Sequence, residues 1–371
     1  MIRSIEGMRG LAALMVIFFH AYVMARWGGT LSTWGLVQNA WLFVDLFFVI
    51  SGVIMAGVYG ERLHSGAQLR GFFIRRFYRL YPLHIVTTLT AIGAVIAVQS
   101  AKWGLAQAGI QLGAEKPFST QFFSLPYFLL ELVMLQGVGI MTEALHNYPS
   151  WSLSVEIWMY LIFACFFCWV RSTKVRIAIS VLIVLACLAW FIQPGTGLPA
   201  RPFLSNTQNL PRGLLSFFTG VLVWYGWVQV RDLSARLPAW LLTALQVFMT
   251  AAALHLVAHR AELGLAVFAI PFAFGALVWT MLPDRGGIAW LLQTRPLQWL
   301  GEHSYSIYLV HITVLTFFEW PGRKFAEPLQ YGVLLAYVVA VLVASYFSYR
   351  WIEVPWRDRG RDRARQVEQG G

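Results

Sequence analysis

The chain has 371 residues, 58% of them hydrophobic and 12% charged, with 28 Lys and Arg against 17 Asp and Glu for a formal net charge of +11. Soluble domains carry about 25% charged residues, so a soluble fold with one large core is excluded, and the mean hydropathy of +0.62 points to a polytopic membrane protein. The positive charge does not require a nucleic-acid partner, because basic residues of membrane proteins collect in cytoplasmic loops.

The first apolar segment, 9–27, has no small-residue cleavage site and holds His20, so it reads as a span and not as a cleavable signal peptide. Arg9 and His20 are eleven positions apart, about three helical turns, which sets both on one face roughly 16 Å apart. An arginine at the centre of a membrane helix costs about 2.5–3.5 kcal/mol, and ionisable groups kept at that cost usually line a pathway or a site. The plainer reading has Arg9 snorkelling to the headgroups and His20 packing.

A second span, 37–58, carries Asp45 and Ser51-Gly52. Before the third span, 82–99, the run Arg70 to Pro82 holds Arg70, Arg75, Arg76 and Arg79 among Phe77, Tyr78 and Tyr81. Arg76 and Arg79 share a face if helical. Positive-inside charge explains part of the run; its density and its aromatics favour an anion site, since guanidinium forks suit phosphates and rings can stack on a purine.

Residues 122–140 are interrupted by Pro126, Glu131, Gly137 and Gly139. If this segment crossed, most later basic loops would fall outside, against the positive-inside rule. It is therefore expected to be a re-entrant or surface-lying element on the outer side. Further spans are expected at 152–170, 175–193, 211–229, 238–257, 262–282, 304–320 and 331–351, making ten in all with both termini cytoplasmic. Cys165 and Cys168 have Cys-x-x-Cys spacing without a second ligand pair nearby, so they read as lipid-facing or packing residues and no metal is expected. The basic stretch from Arg357 reads as a solvated, mobile cytoplasmic tail, and residues 1–356 as one transmembrane domain.

This topology sets His20, Asp45 and Glu156 at one depth, roughly 8–12 Å below the outer surface at about 1.5 Å per residue. A carboxylate beside a histidine fixes its tautomer and raises its basicity, as in general-base pairs; the competing reading is a structural ion cluster. Near the same surface Trp151, Asn147, Tyr148 and Trp320 are candidates to stack on sugar rings, or else members of an interfacial belt.

Taken together these residues resemble the membrane acyltransferase-3 family. The Arg-x10-His signature matches Arg9 and His20, preceded by Glu6 where the family usually has aspartate. Phe-Phe-x-x-Ser-Gly matches Phe47 to Gly52, with Ser51, and Arg-x-x-Arg matches Arg76 and Arg79. Trp-Ser-Leu-x-x-Glu matches Trp151, Ser152 and Glu156, with Ser154 inside it. Ser-Tyr-x-x-Tyr-x-x-His matches Ser304, Tyr305, Tyr308 and His311, and the closing Glu-x-Pro matches Glu353 and Pro355. The resemblance implies an all-α integral membrane O-acyltransferase of the polysaccharide O-acetyltransferase kind in the bacterial inner membrane, standing alone without a fused extracytoplasmic domain.

It further implies an acetyl-CoA or other acyl-CoA donor taken from the cytoplasm and an acceptor hydroxyl on a glycan or lipid-linked saccharide. Arg76 and Arg79, with Arg75 and Tyr78 beside them, would hold the donor phosphates. The pantetheine arm, roughly 15–20 Å long by covalent geometry, would pass Arg9, and His20, backed by Asp45 or Glu156, would act as general base or as a transiently acylated nucleophile. Two rival readings stay open from the residues themselves: a proton-coupled transporter with His, Asp and Glu as its relay, and a non-catalytic scaffold of a polysaccharide-export complex.

Overall fold

The computed structural model describes residues 2–25, 29–110, 122, 124–141, 146–192 and 206–370, with the backbone alone at 206–207 and 320–324. The Trp320 side chain therefore lies outside the described residues. The described chain is helical and contains no strand. Its helices are α1 (Arg3–Ala25), α2 (Gly35–Gln38), α3 (Phe43–Tyr59), α4 (Gly66–Gln107), α5 (Leu125–Leu132), α6 (Ser150–Trp169) and α7 (Thr173–Ile192). They continue with α8 (Asn206–Arg236), α9 (Ala239–Ala258), α10 (Ile270–Met281), α11 (Gly287–Leu292), α12 (Arg295–Lys324), α13 (Glu327–Ser348) and α14 (Val354–Gly370). Among the described residues nine helices are long and apolar enough to cross a bilayer, and the protein is an all-α integral membrane protein. The expected span at 304–320 lies in α12, which is 30 residues long. It falls outside the nine because it carries His303, Ser304, Ser306 and His311, all buried against other helices and not against lipid.

The apolar surface faces outward, as a bilayer requires: Leu182, Leu185, Phe248, Leu335, Val339 and Val343 are all exposed. Two interior clusters hold the bundle. One joins α3, α6, α8 and α10 through Val49, Phe163, Phe217, Phe218 and Phe274. The other joins α1, α12 and α13 through Ala13, Ile17, Ile307, Tyr337 and Val341. Lipid tails are as apolar as these side chains, so association rests on close van der Waals packing, and small residues permit it. A Cβ on Gly52 of α3 would stand 1.9 Å from the Phe217 carbonyl oxygen of α8, and one on Gly220 would stand 2.0 Å from that of Val49. Phe47 packs against both clusters, and the polar interior described below lies between them.

Three elements differ from the sequence reading or refine it. The arginine run is not a loop before a span: α4 is one helix of 42 residues, about 63 Å long, and its first turns stand clear of the span. Ser65 starts it by accepting a hydrogen bond from the Gln68 amide at 3.2 Å. The tail is not a free end. It forms α14, which lies along those first turns of α4 with Gly360 against the Tyr78 side chain, Ala364 buried, and Arg363 donating to Tyr78 Oη at 2.7 Å.

Among the described residues of 122–140 the one helix is the eight-residue α5, about 12 Å long and too short to cross. The chain then turns into the bundle. The Gly137 amide donates to Ser154 Oγ at 3.1 Å, Ser154 Oγ donates to the Met134 carbonyl at 2.6 Å, and Gln136 is fully buried. Asn147 is likewise buried and donates to the Leu309 carbonyl at 3.2 Å. This inserted segment means that α6 begins inside the protein.

Candidate functional site: two adjacent cavities

Arg9, Ser51, Arg76, Arg79, Ser152, Glu156, Tyr160, Ser304, Tyr305 and Tyr308 line one cavity between α1, α3, α4, α6 and α12. His20, Trp41, Tyr148, Trp151, Asn209 and Arg212 line a second. Val44 and Tyr308 belong to both walls, so the two spaces are neighbours with these side chains between them. Arg9 and His20, on one face of α1, look into the two spaces in turn, as their spacing requires.

In the first cavity the arginines are sparingly paired. Arg9 reaches Glu6 at 3.3 Å. Arg76 donates from Nη2 to Tyr59 Oη at 2.9 Å and lies over the Tyr59, Phe72 and Tyr160 rings, while its buried Nε has no partner. Arg79 makes no hydrogen bond or ion pair among the described residues. The carboxylate here is Glu156, which accepts from Ser51 Oγ at 3.2 Å and from Tyr160 Oη. Glu353 closes the base of the bundle, accepting from Ser306 Oγ at 2.9 Å. A π-helical turn, Tyr349–Glu353, precedes α14 and buries this carboxylate. Tyr305 donates to the Leu80 carbonyl at 2.6 Å, and Tyr308 Oη lies 2.8 Å from Ser152 Oγ.

In the second cavity His20 has one determinate tautomer. Its Nδ1 is 3.0 Å from the Val16 carbonyl oxygen, which can only accept, so Nδ1 carries the proton. His311 Nδ1 is 2.7 Å from the Tyr308 carbonyl and is protonated for the same reason. That leaves His311 Nε2 as an acceptor, and it lies 3.2 Å from His20 Nδ1. His20 Nε2 is then a bare lone pair, buried and without a partner among the described residues, on a ring that lines the cavity. The Tyr148 ring stands edge-on to it, centroids 5.8 Å apart.

Two acids expected beside His20 are elsewhere. Asp45 is held by Arg212: Nε donates to its two oxygens at 3.0 and 3.1 Å and Nη2 at 2.7 Å, with Ser216 Oγ adding a contact at 2.9 Å. Both side chains are buried, and Arg212 also lies over the Trp41 and Trp151 rings. Glu156 sits at the level of Ser51, six residues or about 9 Å further along α3 than Asp45. The shared depth does not hold, because residues 134–137 turn into the bundle and bond to α6, whose first residue, Ser150, is itself fully buried.

Other expected site residues sort as follows. Arg75 pairs with Glu368 of α14 at 2.6 Å and Tyr78 packs on α14, so neither lines the cavity. Ser154 ties down the inserted segment. Trp151 and Tyr148 line the second cavity, while Asn147 is a buried tie to α12. Sequence reasoning missed Arg212, Tyr160 and Tyr59. Only Tyr160 left a local signal, one helical turn after Glu156.

A family model described as an acyltransferase domain matches residues 2–349. The chain is similar to the peptidoglycan O-acetyltransferase OatA of Listeria monocytogenes, 26% identical over 377 residues, which cover 96% of this chain and 56% of that protein. It is 28% identical over 357 residues to a putative membrane-bound transacylase, BcsY, of Komagataeibacter xylinus, covering 95% of this chain and 82% of that one. It is 28% identical over 380 residues to the acyltransferase MdmB of Streptomyces mycarofaciens, covering 95% and 90%. The chain thus spans about half the length of the Listeria protein. No solved structure matches it.

Proposed function

We propose that this chain, which belongs to the family of that acyltransferase domain, moves an acetyl or other short acyl group from acyl-CoA to a hydroxyl of a glycan or lipid-linked saccharide. The donor enters from the cytoplasm and the acceptor from the membrane or its outer side. The chain sits in a bacterial inner membrane with both termini cytoplasmic, so the Arg79 cavity faces inward and the His20 cavity outward. One observation carries this reading: a cavity lined by three sparsely paired arginines shares the Tyr308 wall with a cavity holding a histidine whose Nε2 has no partner among the described residues.

The chemistry follows from these groups. Arg76 and Arg79 attract the donor's phosphates, and the acyl thioester reaches past Tyr308. His20 Nε2 takes the proton of the acceptor hydroxyl as its oxygen bonds to the thioester carbonyl carbon. The C–S bond then breaks, the proton on Nε2 passes to the departing thiolate, and the products are an ester and free CoA. During the transfer the His20 imidazolium is steadied by the Val16 carbonyl and by His311 Nε2, which accept from Nδ1. His311 thus has the orienting role that a carboxylate has in a catalytic triad, without its charge.

Transfer of labelled acetyl from acetyl-CoA, presented at the cytoplasmic face of inverted membrane vesicles, tests the reading. Labelled glycan that requires this protein is expected, and a proton-driven flux with no acyl transfer would mean a transporter instead. CoA release without acceptor separates two routes. A general base releases CoA only slowly by hydrolysis, whereas an acyl-histidine releases one equivalent in a burst.

A further inference from the structure

Beside the arginine cavity lies a groove of about 540 Å³ formed by the end of α3, the 60–65 turn, the start of α4 and the last turns of α14. That is room for a nucleotide. Its wall carries four guanidinium groups, Arg62, Arg75, Arg361 and Arg365, and two carboxylates, Glu61 and Glu368. Both carboxylates are already engaged, Glu61 by Arg176 at 2.8 Å and Glu368 by Arg75 at 2.6 Å.

Arg62 makes no side-chain hydrogen bond or ion pair among the described residues. Arg361 and Arg365 pair only with Asp358 at 3.3 Å and Asp362 at 3.8 Å, on an exposed face where such pairs are weak and screened. Three guanidiniums are thus left for an anion. Tyr59 and Arg76 stand between the groove and the arginine cavity: Tyr59 lines the groove and accepts from Arg76, which lines the cavity, while the neighbouring Arg75 faces the groove.

We propose that this groove binds the phosphate-bearing adenosine end of the acyl-CoA donor, with the ribose 3′-phosphate held by Arg62, Arg361 and Arg365, the diphosphate passing Tyr59 to Arg76 and Arg79, and the pantetheine arm continuing into the cavity beyond them. Helix α14 is then one wall of the donor site, and it lies beyond the residues 2–349 that the family model matches. The inference rests on the acyl-CoA reading above. Acyl-CoA fits better than a lipid headgroup because the groove adjoins the cavity that the thioester arm would occupy.

The test uses the full chain in nanodiscs of phosphatidylcholine, titrated calorimetrically with CoA and with dephospho-CoA, which lacks the 3′-phosphate. The wild type is expected to bind CoA roughly tenfold or more tightly than dephospho-CoA, the size of one charge-assisted phosphate contact. An Arg361→Gln, Arg365→Gln double variant should lose most of that preference while dephospho-CoA binding stays within about threefold, and the Arg361→Lys, Arg365→Lys variant should recover part of it. Arg359→Gln, on the same helix but off the groove, should behave as wild type.

A double variant that still prefers CoA as the wild type does would overturn the inference and leave the donor reading intact. A wild type that binds neither compound would overturn the donor reading itself. Replacing part of the lipid by phosphatidylglycerol separates the sources of phosphate. If the arginines alter only the response to that lipid, the groove is a headgroup site and the proposal fails.

Discussion

The pairing of Asp45 with Arg212 separates an architectural carboxylate from a catalytic one, and Asp45→Ala tests it. The guanidinium makes three contacts with Asp45 between 2.7 and 3.1 Å, with the arginine side chain 1% exposed and the aspartate 0%. Each charge-assisted hydrogen bond is worth about 1.5–3 kcal/mol, but their sum is offset by the desolvation of both ions. The net cost of removing one partner from a buried pair is about 3–5 kcal/mol, because the other charge stays buried and unpaired. Asp45→Ala should therefore lower the apparent Tm in nanodiscs by that equivalent. The double change Asp45→Leu with Arg212→Met should recover most of the loss, because no lone charge remains. Fluorescence-detected size exclusion after heating reads this directly. Transfer per folded molecule should fall far less than a general-base partner would require. If Asp45→Asn instead keeps full thermal stability and loses more than about a hundredfold in transfer, Asp45 acts on His20 and the assignment here is wrong.

Arg79→Ala should weaken acyl-CoA binding roughly tenfold or more through the loss of a charge-assisted phosphate contact, and Arg79→Lys should rescue only part, lacking the fork. Equilibrium binding of labelled CoA checks both. Outside the spanning helices, burial pushes His146 down, but its hydrogen bond to Glu131 at 2.8 Å and the Glu131 charge outweigh that, and the net shift is upward from 6.5. A raised folded-state value stabilises fully below the unfolded value and is lost as pH rises through the folded one. The apparent Tm should therefore decline as pH rises above about 6.5, and Glu131→Gln should flatten that decline. An unchanged slope in the variant would remove the pair as its cause. Gly52→Leu should sharply reduce the monodisperse yield, because even a Cβ there meets the Phe217 carbonyl at 1.9 Å.

The sequence was most legible where a helical period carried the information. The eleven-position offset from Arg9 to His20 gave a shared face, and the structure adds that this face looks toward α12, where His311 meets His20. Apolar length marked the spans, and the glycines and Glu131 marked 122–140 as an element that does not cross. Long-range partners were not legible. Nothing near Asp45 announces Arg212, 167 residues away, and a charge at the edge of an apolar segment reads as a loop residue until a carboxylate is found beside it. The Glu156 depth was misjudged because a short inserted segment moves the start of α6, and hydropathy does not register such a shift. Charge density made 357–371 look solvated. The small residues Gly360 and Ala364, four apart, were the signal of a packed face on α14.

The central claim is that His20 Nε2 moves the acceptor's proton, and the most direct measurement is acetyl transfer by His20→Ala beside its CoA affinity. Labelled acetyl-CoA is added to inverted vesicles containing wild type or variant, and ester-linked label on glycan is counted over a single turnover. The expected result is a loss of about 10²–10⁴ in rate with CoA affinity changed less than a few-fold, since His20 lines the cavity away from Arg76 and Arg79. Near-normal transfer by a folded His20→Ala protein would contradict the claim.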